Sequence, residues 1–476
     1  MLLNPSFLKL SKTPFLLAIA SVFFYITFAY NLVRTDYIKL IILYTALFIS
    51  FYKLITLLKN NTKALTYFAF AFRAVFILTI PNLSQDFYRF IWDGRMILEG
   101  INPYLFTVES FITKNEFPVA QTQELYAGMG TLNASHFTNY PPINQICFTI
   151  AGLFADKSIL GSAIVMRLLI IAADFGTLHF GKKLLNRLNL HAHNIFWYIL
   201  NPFIIIELTG NLHFEGVMIF FLVWSLYLLH IKKWQWAAIV LALSISVKLI
   251  PLIFLPLFFQ WFIKRNTASN LEQTNVNSSF TTGKNLIKSI KKLIGFYGII
   301  GITTLLLFTP FYSSQFISNY SKTVGLWFQH FEFNASIYYI AREIGYLFRG
   351  YNEIAIIGKI TPLLVILFVL TITFFRKNKT TIELITAMLL ALSFYYFTAT
   401  TVHPWYVATL LILSIFTKYK FPLVWSFVII LSYLAYINLN KADKSENLWV
   451  IALEYIIVYG VFIWEVFLKK ADAIKR

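Results

Sequence analysis

One cysteine stands in 476 residues. Cys147 by itself excludes an intrachain disulfide and any site built from several thiolates, and reads as a small apolar filler. Charge is scarce too: Asp, Glu, Lys and Arg together make up 13% of the chain, about half the share of an ordinary soluble domain. No repeat of fixed period is visible. No cleavable leader is expected, because the first apolar run, Pro14 to Val33, is long enough to span a bilayer and lacks a clear small-residue cleavage site.

What is present is apolar: 58% hydrophobic residues and 18% aromatic ones. Many runs approach the roughly 20 residues that cross a bilayer, which predicts an all-α polytopic membrane protein. Expected spans are 14–33, 38–58, 64–83, 158–181, 195–209, 214–231, 234–263, 293–311, 353–375, 380–400, 404–417, 421–438 and 448–468. The run 234–263 carries Lys232/Lys233 before it and Lys264/Arg265 at its end, and is interrupted by Lys248, Pro251 and Pro256. Two short helices joined by a turn return both basic pairs to one side. The run 143–155 follows Tyr140-Pro141-Pro142 and is too short for a comfortable span, so it reads as an interfacial helix. The result is a bundle of about 12–14 transmembrane helices with both termini cytoplasmic.

The formal net charge of +19 raises nucleic acid as a partner. The basic residues, however, concentrate in alternate short loops, the positive-inside pattern, and anionic lipid is their natural partner. The chain divides into N-terminal helices (1–83), a first extracytoplasmic loop (84–157), central helices (158–263), a basic cytoplasmic linker (264–292) and C-terminal helices (293–476) with an outer loop at 312–352. Residues rich in Lys, Asn, Ile and Phe suit a bacterial inner membrane.

The stretch 84–104, SQDFYRFIWDGRMILEGINPY, follows an apolar run and packs four acids and bases into a short space: Asp86, Arg89, Asp93 and Glu99. Arg95 adds a fifth charge. Phe87, Tyr88, Phe90, Trp92 and Tyr104 interleave with them, and Asn102-Pro103 closes the segment as a turn. Carboxylates that take hydroxyl protons beside rings that stack on CH groups suit a polyhydroxylated substrate. An interfacial amphipathic helix explains the same pattern, with rings at headgroup level and charges toward water.

Three further polar features fall on the same expected side. Gly210-Asn211-Leu212-His213-Phe214-Glu215 lies at the mouth of two spans, Lys248 sits in the broken pair, and Thr401-Val402-His403-Pro404-Trp405-Tyr406 begins a span. A lysine deep in an apolar run is expensive and marks function or an ion pair, unless it snorkels to the interface. Broken helices are tolerated at membrane depth where they line a cavity, and there Lys248 and a helix end suit a lipid phosphate. The aromatic stretch 326–346, with Glu332, Arg342 and Glu343, walls the same site or packs on the membrane surface. Arg73 and Arg167 read as charges internal to the bundle. Asn133-Ala134-Ser135 and Asn334-Ala335-Ser336 need not be glycosylated.

Asp86-Phe87-Tyr88-Arg89-Phe90-Ile91-Trp92-Asp93-Gly94-Arg95, with Gly100-Ile101-Asn102-Pro103-Tyr104, resembles the first outer loop of the GT-C integral-membrane glycosyltransferases. The similarity is greatest to the polyprenol-phosphate-sugar-dependent mannosyltransferase-like group. Tyr140-Pro141-Pro142, Gly210 to Glu215, Val247-Lys248-Leu249-Ile250-Pro251 and His403-Pro404-Trp405-Tyr406 recur in family order. Two departures are a Gly-Asn-Leu-His-Phe-Glu stretch where relatives carry a Gly-His-Asn-Asp-like one, and three spans before the loop instead of one.

The resemblance implies a GT-C-type bundle with interfacial helices in the first loop, and sugar transfer outside the cytoplasmic leaflet. A polyprenyl-phosphate sugar, mannose by family weight, passes to a hydroxyl on a glycolipid or glycan. Asp86 occupies the place of the general base. Candidate substrate-binding residues are Arg89, Trp92, Asp93, Arg95, Glu99, Asn102, Tyr104, His213, Glu215, Lys248, His403, Trp405 and Tyr406, with Lys248 and His403 supporting the leaving phosphate. A single displacement inverts the anomeric centre. No cofactor or metal is called for, since a monophosphate leaving group carries less charge than a nucleotide diphosphate. The alternatives are a flippase or transporter of a lipid-linked glycan and a membrane scaffold without chemistry.

Overall fold

The computed structural model describes residues 12–263, 278–329, 331–440 and 446–469; the first part of the expected basic linker, 264–277, lies outside the described residues. The protein is 77% helical and, among the described residues, has no strands. It is an all-α polytopic membrane protein. Among the described residues, seven helices are long and apolar enough to cross a bilayer: Lys12–Asn31, Tyr37–Leu57, Ile159–Arg187, Asn285–Phe311, Ile354–Phe375, Thr381–Thr398 and Leu448–Leu468.

The helices begin where short polar side chains precede apolar runs. Asp36 accepts from the Lys39 N–H, Asn61 from that of Ala64 and Ser158 from that of Gly161, at 3.3, 3.0 and 3.0 Å. Thr380 and Glu383 form a reciprocal capping box at the start of Thr381–Thr398. Each cap satisfies N–H groups that the first helical turn leaves without partners.

Several expected spans take another form. The run 64–83 is helical only over Thr62–Ala74, and its continuation is irregular backbone. Arg167 makes this possible at depth: its guanidinium donates to the carbonyls of Ile77, Thr79, Thr209 and Gly210 at 2.8–3.0 Å. Carbonyls freed from a helix inside apolar surroundings need such a donor. The runs 195–209 and 214–231 become a bent pair, Pro202–Gly210 and Glu215–His230, turned by 116°. The run 234–263 is broken as expected, into Trp234–Ile245 and Ile250–Ile263. Pro404–Ser414 and Phe421–Ile437 are apolar but short.

The first large loop folds on the bundle as three main helices, Asp86–Leu98, Thr122–Ala134 and Pro142–Ala155. Asp86–Leu98 crosses Pro142–Ala155 very closely: a Cβ on Gly94 would sit 2.2 Å from the Phe148 carbonyl oxygen. Phe90 stacks on Phe148 at 4.6 Å, and both meet Phe214 edge-on at 5.8 and 5.2 Å. The loop is thereby seated on the bend between Gly210 and Glu215.

Arg73 and Asp174 form a fully buried ion pair, Nε to Oδ2 at 2.7 Å, with the Ile199 carbonyl also accepting from Arg73 at 2.7 Å. Removing one partner strands the other charge, which costs about 3–5 kcal/mol, whereas replacing both by apolar residues of similar volume is close to neutral. Asp174→Ala is therefore expected to lower the melting temperature in detergent by several degrees. Arg73→Met/Asp174→Leu should recover most of that loss in the same thermal-unfolding assay.

Candidate active site

Two breaks bring charge together. Glu215 opens the second helix of the bent pair, and Lys248 lies in the turn between Trp234–Ile245 and Ile250–Ile263. Lys248 Nζ stands 3.1 Å from Glu215 Oε1, with the carboxylate side chain fully buried and the lysine side chain 21% exposed. The ammonium also lies 5.1 Å from the ring centroid of Tyr140. The turn that carries it is tied down: the Ile143 N–H donates to Ser246 O and Asn144 Nδ2 to Val247 O, each at 2.9 Å. Tyr140-Pro141-Pro142 therefore starts the helix that fixes Lys248.

Asp86 sits in the first turn of Asp86–Leu98, its N–H donating to Ser84 Oγ at 3.3 Å. Burial pushes its carboxyl up to about 6; the charge of Lys248 opposes that rise and the charge of Glu215 reinforces it. Asp86 thus senses the charges of two groups far from it in sequence.

A stack of rings flanks them. His213 lies on Trp405 at 3.6 Å and Trp405 on His403 at 4.6 Å, all nearly parallel. Burial, with the nearby charge of Lys248 adding to it, holds both imidazoles below their ordinary value, His403 down to about 3. They are neutral at pH 7, so His403 offers hydrogen bonds and no positive charge. Lys248, Tyr140 and Tyr406 line a cavity of about 360 Å³ whose remaining wall includes Ile250, Ile253, Val324, Val365 and Ile366. Among the described residues no group of three or more His, Cys, Asp or Glu side chains is placed to hold a metal ion.

The other residues of the first loop have structural partners. Arg89 Nε donates to Asp93 Oδ1 at 2.7 Å, its Nη1 to the carbonyls of Asn133 and His136, and Gln145 Nε2 reaches Asp93 Oδ2 at 3.1 Å. Arg95 turns to Ala120 O and Gln121 Oε1 instead of to Glu99, which is exposed at the end of its helix. Trp92 is buried and donates to the Met96 sulfur. Asn102 bridges Phe311 O and the Tyr104 N–H, while the Tyr104 hydroxyl donates to Tyr140 O. Arg89, Trp92, Asp93, Arg95, Asn102 and Tyr104 are thus bound into the platform beneath Tyr140, and Glu99 stands exposed beside it.

Glu207 escaped the sequence reading. It lies in the π-helical turn before the bend, accepts from Tyr433 Oη at 2.8 and 3.0 Å, and stands 3.9 Å from His213 Nε2. The signal was there: an acid inside Ile205-Ile206-Glu207-Leu208 is an intramembrane carboxylate. Asn334 of the second sequon is buried, with its Nδ2 donating to Glu454.

Residues 19–264 match the family model MptA_B, described as alpha-(1->6)-mannopyranosyltransferase, N-terminal domain. That stretch, just over half of the chain, contains Asp86, His213, Glu215 and Lys248; His403, Trp405 and Tyr406 lie beyond it. No curated protein matches the chain.

The raised carboxyl of Asp86 has a defined sign. The folded state holds that proton more tightly than the unfolded chain, so its contribution to stability is present below the ordinary value of 3.8 and lost as pH rises through about 6. An infrared titration of the carboxyl band removed by Asp86→Asn should show a midpoint near pH 6. Lys248→Met should move that midpoint up and Glu215→Gln should move it down.

Proposed function

The chain belongs to the MptA_B family, a GT-C-type mannosyltransferase family, and from that premise we propose that it moves mannose from a polyprenyl-phosphate donor to a hydroxyl acceptor. The site faces the extracytoplasmic side of a bacterial inner membrane in this reading, consistent with the basic bias of the opposite loops. The acceptor is a glycolipid or glycan, and the family's description points to an α-(1→6) linkage onto a primary hydroxyl.

One observation carries the donor class: Lys248 lines a cavity together with Leu249, Ile250, Ile253, Val324, Val365 and Ile366. A charged head beside an apolar wall matches a lipid phosphate, whereas a nucleotide sugar has no apolar segment to cover that wall. The Asp86 carboxylate takes the acceptor hydroxyl proton while that oxygen attacks the anomeric carbon in line. The bond from the anomeric carbon to the phosphate oxygen breaks, and the polyprenyl phosphate leaves with the electron pair. Positive charge preorganised at a leaving group lowers the barrier by stabilising charge as it develops.

Lys248 supplies that charge, and neutral His403 supplies a hydrogen bond. Glu215 holds Lys248, and His213, Trp405 and Tyr406 shape the pocket for the sugar. Arg89, Trp92, Asp93, Arg95, Glu99, Asn102 and Tyr104 serve the loop that carries Asp86. Inversion follows from the single displacement.

The test uses protein in nanodiscs with a membrane glycolipid extract, offered radiolabelled polyprenyl-phosphate mannose or GDP-mannose. Transfer is expected from the lipid donor alone. Asp86→Asn should lower kcat by about 10²–10⁴-fold, the usual contribution of a positioned general base. The wild-type kcat/KM should fall as pH drops through about 6, where Asp86 takes up its proton. Transfer from GDP-mannose would sink the donor assignment, and unchanged turnover by Asp86→Asn would remove it from the mechanism.

A further inference from the structure

His403 lies beyond the matched residues, and its position is set from a distance. The segment 331–334 runs beside 400–402: the Phe333 N–H donates to Thr400 O at 3.1 Å and the Val402 N–H to Phe333 O at 2.8 Å. Thr401 Oγ1 donates to Phe331 O at 2.9 Å, and the Phe333 ring stacks on His403 at 5.2 Å. Whatever holds 331–334 therefore holds His403.

Asn334 is what holds it. The residue is fully buried in a left-handed conformation, φ 45°, which asparagine tolerates better than most side chains. Its N–H donates to both oxygens of Glu446 at 3.0 Å, its carbonyl accepts from Tyr455 Oη at 2.7 Å, and its Nδ2 donates to Glu454 Oε1 at 3.2 Å. The same oxygen of Glu454 accepts from Trp425 Nε1 at 3.0 Å. Glu454 is fully buried on the membrane helix Leu448–Leu468, and Trp425 comes from Phe421–Ile437. An acid placed there is expensive, and Glu454 joins Asn334 to Trp425 of a neighbouring helix.

We propose that Glu454 is a positioning residue for the transfer reaction, acting through Asn334 and the 331–334 segment on His403. The inference rests on His403 serving the leaving phosphate. It assigns the C-terminal helices a part in the chemistry besides bulk.

The hydrogen bond can be tested by exchanging its ends. Asn334→Asp sets an oxygen against Glu454 and should lower kcat with polyprenyl-phosphate mannose by roughly 10–100-fold, the scale on which a misplacement of about 1 Å acts. Glu454→Gln alone should stay near wild type, because its Oε1 still accepts from Asn334 and Trp425. The pair Asn334→Asp/Glu454→Gln should recover turnover, since the new amide donates to the new carboxylate. A combined His403→Ala/Asn334→Asp variant should be no slower than His403→Ala. Hydrogen–deuterium exchange should quicken at 331–334 and 400–403 in Asn334→Asp and return to the wild-type rate in the swap.

Undisturbed turnover in Asn334→Asp, no recovery in the swap, or losses that add in the combined variant would each overturn the proposal. If the wild type transfers mannose from no donor, the functional reading falls, and the exchange rates alone decide whether Glu454 positions His403.

Discussion

A lysine ammonium facing a fully buried carboxylate is the constraint on which this structure turns. In these largely apolar surroundings either charge of the Lys248–Glu215 pair left alone would be costly. Both residues sit at breaks in the helical runs. Glu215 opens a helix at the 116° bend and Lys248 hangs in the turn before Ile250. The pair joins the two breaks, and their freed backbone groups are met by Arg167, Ile143 and Asn144. Asp86 adds a third charge whose protonation depends on the other two.

The site joins contributions of different character. The stretch that matches the mannosyltransferase family supplies the charges, and the C-terminal part supplies Trp405, His403, Tyr406 and much of the cavity wall. The ring stack from His213 through Trp405 to His403 crosses that division. Neutral imidazoles fit this role: a flat ring that hydrogen-bonds without adding charge leaves Lys248 as the cation of the site.

Most polar residues of the first loop bond to one another and to its backbone. Arg89, Asp93, Gln145 and Tyr104 spend their hydrogen bonds within the platform. Gly94 lets two helices touch where a methyl group would collide with Phe148. This close packing seats the helix that carries Asp86 against the bend at Gly210 to Glu215.

The all-α bundle was legible from apolar runs alone, because a bilayer demands about 20 apolar residues per crossing and leaves that demand visible in composition. The break in 234–263 was legible from Pro251, Pro256 and the basic pairs around it. Motif order was enough to nominate Asp86, Lys248, His213 and His403. Short helices hid elsewhere: nothing in the run 64–83 announces that it unwinds after Ala74, since its carbonyl partner, Arg167, lies some 90 residues away. Arg95 lies one turn before Glu99, yet its guanidinium donates to Ala120 and Gln121. Glu207 and Glu454 were visible as acids in apolar runs, but their partners, Tyr433, Asn334 and Trp425, come from other helices. The sequence by itself determined the class of fold, the sign of the loops and the residue types able to do chemistry, because those depend on local hydropathy and charge. Only the tertiary structure decided which carboxylate is free and which is bound, because hydrogen bonds and ion pairs between distant helices exist only once the bundle has packed.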